Sequence, residues 1–113
     1  MHEMAIAEGM LQLVEDTARR NGATRVTAVR LELGALSHVE REALCFCFDA
    51  VARGGVAQGA VLEIDATPGA AWCMPCGARV ALAHLGDACP RCGGWQLNVV
   101  QGEDMRVKEI EIA

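Results

Sequence analysis

At 113 residues the chain is long enough for one ordinary core, and two full domains would each fall short of buried surface, so one compact unit plus a small stapled module is expected. Hydrophobic residues make up 52% of it, much of that Ala and Val, which predicts a core of small aliphatics packed on a sheet. The net charge of −5 is a poor match to a phosphate backbone, no run of about 18 uncharged apolar residues offers a membrane span, and MHEMAIAEGM lacks the basic start of a signal peptide; the expected setting is the cytoplasm, with no nucleic acid and no membrane as partner.

From Met4 to Arg20 the positions Ile6, Met10, Leu13 and Thr17, with Ala7, Leu11, Val14 and Ala18 beside them, recur at helical spacing, and Asn21-Gly22 supplies a left-handed stop. Arg25 to Leu33 reads as a strand with Thr27, Val29, Leu31 and Leu33 on one face. After the Ser37-His38 turn, a second helix from about Val39 to Ala52 is expected to bury Leu44, Cys47, Phe48 and Val51 before Gly54-Gly55 closes it. Val61 to Ala66 is a second strand, with Leu62, Ile64 and Ala66 facing in. Composition changes at Pro68-Gly69, and the segment to about Gly102 is rich in Cys and Gly and poor in charge. The last run, MRVKEIEI from 105 to 112, is strand-like again, although its alternation slips between Val107 and Ile110. The fold class that follows is α+β. Two helices lie on a roughly three-stranded sheet in a domain of residues 1–69 completed by 103–113, and a Cys-rich module of residues 70–102 interrupts it.

That module carries Cys73-Met-Pro-Cys76 and Cys89-Pro-Arg-Cys92, two Cys-x-x-Cys knuckles with twelve residues between them, each followed by a glycine. A knuckle directs two sulfurs at one metal while the glycine lets the backbone turn around it, and two knuckles complete a tetrahedral thiolate site. The intervening ARVALAHLGDA reads as a short hairpin that brings the loops together, as in a zinc ribbon. In a reducing compartment, six cysteines argue for metal or redox chemistry over disulfides. A redox dithiol would open a helix, which Pro75-Cys76-Gly77 does not resemble. The expectation is a closed, structural Zn²⁺ site, with an iron–sulfur cluster as the residual alternative. Zinc thiolates take the net charge from −5 to −7. With Arg79 and Arg91 as its basic residues besides His84, opposed by Asp87, the module lacks the face a nucleic-acid reader needs.

The second feature with chemistry in it is Met1-His2-Glu3. A free α-amine, the His2 amide nitrogen once deprotonated and the His2 imidazole form adjacent chelate rings, and such nitrogen donation favours Ni²⁺ or Cu²⁺ over Zn²⁺. Taken alone the signal is weak, because a His at a chain end is usually incidental. A helix starting immediately after Glu3 would hold these residues in place.

MHEMAIAEGMLQLVED, VTAVRLELGALSHVE, CFCFDAVARGGVAQGA, the paired knuckles and the closing MRVKEIEI together resemble the HypA/HybF family of nickel-insertion proteins across essentially the whole chain. The resemblance implies a nickel metallochaperone, not an enzyme, that works with the GTPase HypB and docks on the [NiFe]-hydrogenase large subunit, with urease as an alternative recipient and a homodimer as an alternative state. It implies His2 as the nickel ligand, with the Met1 amine and the Glu3 region contributing, and Zn²⁺ on Cys73, Cys76, Cys89 and Cys92. A further acidic ligand of some members aligns with Glu40, whose longer side chain puts that role in doubt.

His38, beside Glu40, is a candidate ligand, although a solvated histidine at a helix start is the commoner case. Cys45 and Cys47 point to opposite sides of a helix, so Cys47 is read as core and Cys45 as a half-buried packing residue. His84 is expected at the hairpin tip without a partner, and Trp72 and Trp95 are expected to cover the metal loops. No phosphate-cradling Gly-rich motif ends in Lys-Ser or Lys-Thr, so any GTP use belongs to a partner. Two rival readings remain: a zinc-ribbon nucleic-acid or protein-interaction module, and a thiol oxidoreductase using one knuckle.

Overall fold

The computed structural model describes residues 2–113, in the order α1 (His2–Arg20), β1 (Val26–Gly34), α2 (Arg41–Ala52), β2 (Val61–Thr67), β3 (Ala70–Cys73), β4 (Ala78–Ala81), β5 (Leu97–Gln101) and β6 (Met105–Ile112). The strands make two sheets of three, β2-β1-β6 and β4-β3-β5, the second antiparallel throughout. The expected α+β class holds. The last strand does return to the first sheet, beside the central β1.

Helix α1 begins at His2, two residues ahead of the apolar periodicity. The first N–H groups of a helix have no partner inside it, and the acidic Glu3 sits in that first turn where the helix dipole favours negative charge, so polar residues suit the position. The buried face is Ala7, Met10, Val14 and Ala18, while Leu13, expected inside, is 47% exposed. The helix is thus turned so that its smaller side chains meet the core, which lets α2 come close: the two helices pack on each other. At the far end Gly22 takes φ +65°, with the Ala23 N–H donating to the Ala18 carbonyl (2.9 Å) and the Gly22 N–H to that of Arg19 (3.1 Å). This is the Schellman arrangement that Asn21-Gly22 predicts.

Helix α2 starts at Arg41, and Glu40 caps it from extended backbone (φ −83°, ψ 120°). The Glu40 carboxylate accepts from the N–H groups of Glu42 (3.2 Å) and Ala43 (2.7 Å). Leu44, Cys47 and Phe48 are buried as expected; Ala52 takes the place foreseen for Val51, which is half-buried.

Two compact units result. The first takes the chain through Leu31, then Val39–Ile64 and Val107–Ala113; the second takes Glu32–His38 and Asp65–Arg106. In the first, Val14, Val26, Val29, Leu31, Leu44 and Phe48 are the largest fully buried side chains. Across its sheet Arg30 bridges Glu63 (3.3 Å) and Glu109 (2.9 Å). In β1, Val29 and Leu31 are buried as expected, Thr27 faces out, and Val26 and Ala28 are buried too, as suits the middle strand. Edge strand β2 is shallower, with Leu62 and Ile64 half-buried and Ala66 exposed. In β6 the half-buried positions are Met105, Val107 and Ile110, so the change of face seen in the sequence is present.

The second unit is organised around glycines. Gly34, Gly69 and Gly102 meet where the chain crosses itself. A Cβ on Gly34 would collide with the Gly102 carbonyl, and one on Gly69 with the Leu82 carbonyl. Gly102 has φ +98°, and its Cβ would stand 2.7 Å from the Gly69 Cα. Only hydrogen fits there. The hairpin expected within ARVALAHLGDA does not form. Residues 78–81 instead fold back on β3, pairing Trp72 with Arg79 and Cys73 with Ala78, so the first knuckle is itself the hairpin turn. The reason is apolar: Val80 and Leu82 point into the same cluster as Leu36, Ala71, Cys73 and Cys89, whereas His84-Leu85-Gly86-Asp87 is exposed.

Candidate metal centre

The Sγ atoms of Cys73, Cys76, Cys89 and Cys92 all lie within 4.8 Å of one another, the one such group of His, Cys, Asp and Glu among the described residues. Cys73 stands 3.6 Å from Cys92, and Cys76 4.0 Å from Cys89. A disulfide needs about 2.05 Å. Sulfurs at the corners of a tetrahedron with Zn–S bonds of about 2.3 Å are about 3.8 Å apart. The donor set therefore fits a tetrahedral thiolate metal, and the knuckle pairs interleave, with each close contact linking one knuckle to the other.

The two knuckles share one backbone solution. The Gly77 N–H donates to the Cys73 carbonyl (2.9 Å) and the Gly93 N–H to the Cys89 carbonyl (2.9 Å), with φ +58° and +75° at those glycines. The turn aims main-chain N–H groups at sulfur: Arg91 N–H to Cys89 Sγ and Gly94 N–H to Cys92 Sγ, both 3.4 Å. Neighbouring N–H dipoles, that of Cys92 foremost, draw the Cys89 thiol down to about 6 against the effect of burial. Cys76 is pushed up to about 12, first by its hydrogen bond with the Cys73 thiol. At Cys73 the Cys76 N–H favours the thiolate, but burial and the Cys92 and Cys89 thiols outweigh it and raise the value. Four sulfurs this close resist ionising together, and a divalent cation among them would supply the missing positive charge.

Of the other candidate residues, His2, Glu3 and Glu40 lie in the first unit. His2 stands in the opening turn of α1 with its side chain 58% exposed, and its Nδ1 is 3.2 Å from Glu3 Oε2. Glu3, 16% exposed, also accepts the Glu40 N–H at 3.2 Å, and that bond first, then the His2 contact, holds its carboxyl below the ordinary value. Glu3 and Glu40 are thus brought together, by side chain to backbone. Met1, whose amine completes the expected chelate, lies outside the described residues. His38 is exposed and belongs to the second unit.

Sequence reasoning missed the Glu40 cap, because Glu is not a favoured N-cap residue. It also missed the ion pair of His84 with Asp87 (3.5 Å), which i,i+3 spacing could have signalled. Trp72 and Trp95 are 42% and 70% exposed, Trp72 standing on the face of β3 opposite the buried Ala71 and Cys73. Cys47 is buried and Cys45 half-buried.

A family model described as "Hydrogenase/urease nickel incorporation, metallochaperone, hypA" matches residues 1–112. The chain belongs to this family. Among curated relatives, hydrogenase maturation factor HypA of Dechloromonas aromatica is 61% identical over 112 residues, spanning 99% of both chains, and that of Albidiferax ferrireducens 58% over the same span. The solution structure of the Ni metallochaperone HypA from Helicobacter pylori superposes with a TM-score of 0.69 at 21% identity, covering 97% of this chain and 96% of that one. A second HypA solution structure gives 0.73 at 23%, covering 100% and 97%. At such identities the structures speak for the fold, and the HypA family assignment rests on the sequence relatives. No described helix is long and apolar enough to cross a membrane.

Proposed function

We propose that this HypA-family chain carries Ni²⁺ on its N-terminal turn and delivers it to the [NiFe]-hydrogenase large subunit, with the GTPase HypB as partner in the cytoplasm and with Zn²⁺ held structurally by Cys73, Cys76, Cys89 and Cys92. The nickel-binding part, assigned to residues 1–69 and 103–113, takes its core from the first unit, and the zinc module of residues 70–102 lies within the second. The chain acts as a carrier and not as an enzyme. The observation that carries the reading is the solvent-facing His2 in the first turn of α1, in a chain that matches the nickel-incorporation model from its first residue.

Helix geometry supports the chemistry. The amides of the first turn have no intrahelical acceptor, so the His2 amide can give up its proton to a metal without breaking the helix ladder. With the Met1 amine and the imidazole, it offers the adjacent nitrogen donors that suit Ni²⁺. A carrier must also release its cargo, and an exposed site with few side-chain ligands fits an affinity near micromolar, about −8 kcal/mol. The cysteine cluster, by contrast, offers four protein ligands, with Cys73 and Cys89 buried, and so fits a closed structural zinc site.

The test is in cells. His2→Gln should leave normal amounts of folded protein yet give nickel-free hydrogenase, with partial recovery in excess nickel. Full hydrogenase activity in that strain at limiting nickel, without a paralogue, would contradict the proposal.

A further inference from the structure

Glu3 lies next to the candidate nickel residue, and its carboxylate is already engaged. Its Oε2 accepts the backbone N–H of Glu40 at 3.2 Å, across 37 positions of chain, and stands 3.2 Å from His2 Nδ1. The Glu40 N–H precedes helix α2, where no intrahelical acceptor serves it, and a carboxylate makes a stronger, charge-assisted acceptor than water. The side chain of Glu40 is spent elsewhere, with Oε1 on the Glu42 N–H and Oε2 on the Ala43 N–H. Two glutamates therefore work in series: Glu40 caps α2, and Glu3 fastens the start of α1 to that cap.

The consequence falls on His2. An opening helical turn frays unless something ties it down, and a frayed ligand must be ordered when the metal arrives. The nitrogen that faces Glu3 is Nδ1, the one an amide–imidazole chelate uses, so nickel takes Nδ1 away from the carboxylate while the bond to Glu40 can persist. We propose that Glu3 is a positioning residue, whose carboxylate latches the His2-bearing turn to the backbone of Glu40 and does not itself ligate nickel. The nickel half of this rests on the function proposed above; the latch itself does not.

Glu3→Ala removes the latch, whereas Glu3→Gln keeps a side-chain oxygen that can accept the same N–H but is a far poorer metal ligand. In nickel-free protein, hydrogen exchange at the Glu40 amide, read by NMR, should quicken by about tenfold in Glu3→Ala and return close to the parent rate in Glu3→Gln. In calorimetric titration with Ni²⁺, Glu3→Ala should bind about tenfold more weakly and Glu3→Gln should recover most of the loss. Unchanged Glu40 exchange in Glu3→Ala overturns the latch. Loss of nickel binding in Glu3→Gln as severe as in Glu3→Ala, with the Glu40 amide still protected, overturns it in favour of a carboxylate ligand. Absence of nickel binding by the parent chain would sink the proposed function, while the exchange measurement would still decide the latch.

Discussion

Replacing Cys89 with Ala should unfold one unit of this chain and spare the other. The apolar cluster around the cysteines holds few large aliphatics: Leu36, Val80 and Leu82, with Leu97 and Val99 partly buried against them. Full burial of three such side chains contributes on the order of 6 kcal/mol, whereas a structural zinc contributes about 10–16 kcal/mol to the fold that binds it. With zinc bound as proposed, the metal would dominate. Cys89 is buried and receives the Arg91 N–H, so its loss removes a thiolate and empties a core position together. The chain separates the two readouts: both tryptophans, Trp72 and Trp95, lie in the second unit, and both helices in the first. After dialysis against a chelator, Cys89→Ala should hold far less than one zinc per chain and lose its near-ultraviolet tryptophan signal, while far-ultraviolet ellipticity at 222 nm stays near that of the parent. Full zinc occupancy with an unchanged tryptophan spectrum would refute both the four-cysteine site and its structural role.

Further outcomes can be measured on purified protein. Phe48→Ala, in the first unit, should lower stability by about 3–5 kcal/mol in urea unfolding followed by helical ellipticity, since Phe48 is 2% exposed. Gly102→Ala must place a Cβ against Gly69 at φ +98°, so it should destabilise the second unit by more than about 1 kcal/mol, read as a lower urea midpoint of tryptophan fluorescence. Arg30→Ala leaves Glu63 and Glu109 facing each other, but these groups are solvated; the loss should be under about 1 kcal/mol and should shrink in high salt. Burial, more than the opposing pull of Arg41, pushes the Cys45 thiol up, so less of it is thiolate at a given pH than for a free cysteine. Its alkylation by iodoacetamide in zinc-loaded protein, followed by peptide mapping, should therefore be slow at pH 8 and rise only above the ordinary thiol range.

Much of this was legible before any coordinates, for particular reasons. The Cys-x-x-Cys-Gly pattern encodes its own turn, so the cluster of Cys73, Cys76, Cys89 and Cys92 could be read from spacing. Asn21-Gly22 likewise encoded the end of α1. What stayed hidden depended on partners distant in sequence. Leu13 reads as core by periodicity, yet the rotation of α1 is set by how closely small residues let α2 approach. The pairing of β4 with β3 was masked because ARVALAHLGDA has hairpin-like polarity at its centre, while the apolar pull on Val80 and Leu82 comes from Leu36 and Ala71. Gly34, Gly69 and Gly102 each looked like an ordinary boundary residue, and their shared contact follows only from the chain crossing. The Glu3–Glu40 bond joins a side chain to a backbone group, which no residue pattern records.

The central claim is that one chain holds two metals at two separate places, and metal stoichiometry tests it most directly. Protein with a native N-terminus, equilibrated with Ni²⁺ and Zn²⁺ and freed of loose ions, should contain one zinc and one nickel per chain by elemental analysis. His2→Ala, and equally a short extension before Met1, should retain the zinc and lose the nickel. One nickel per chain remaining in His2→Ala, or nickel lost only together with zinc in the Cys89→Ala protein, would contradict the account.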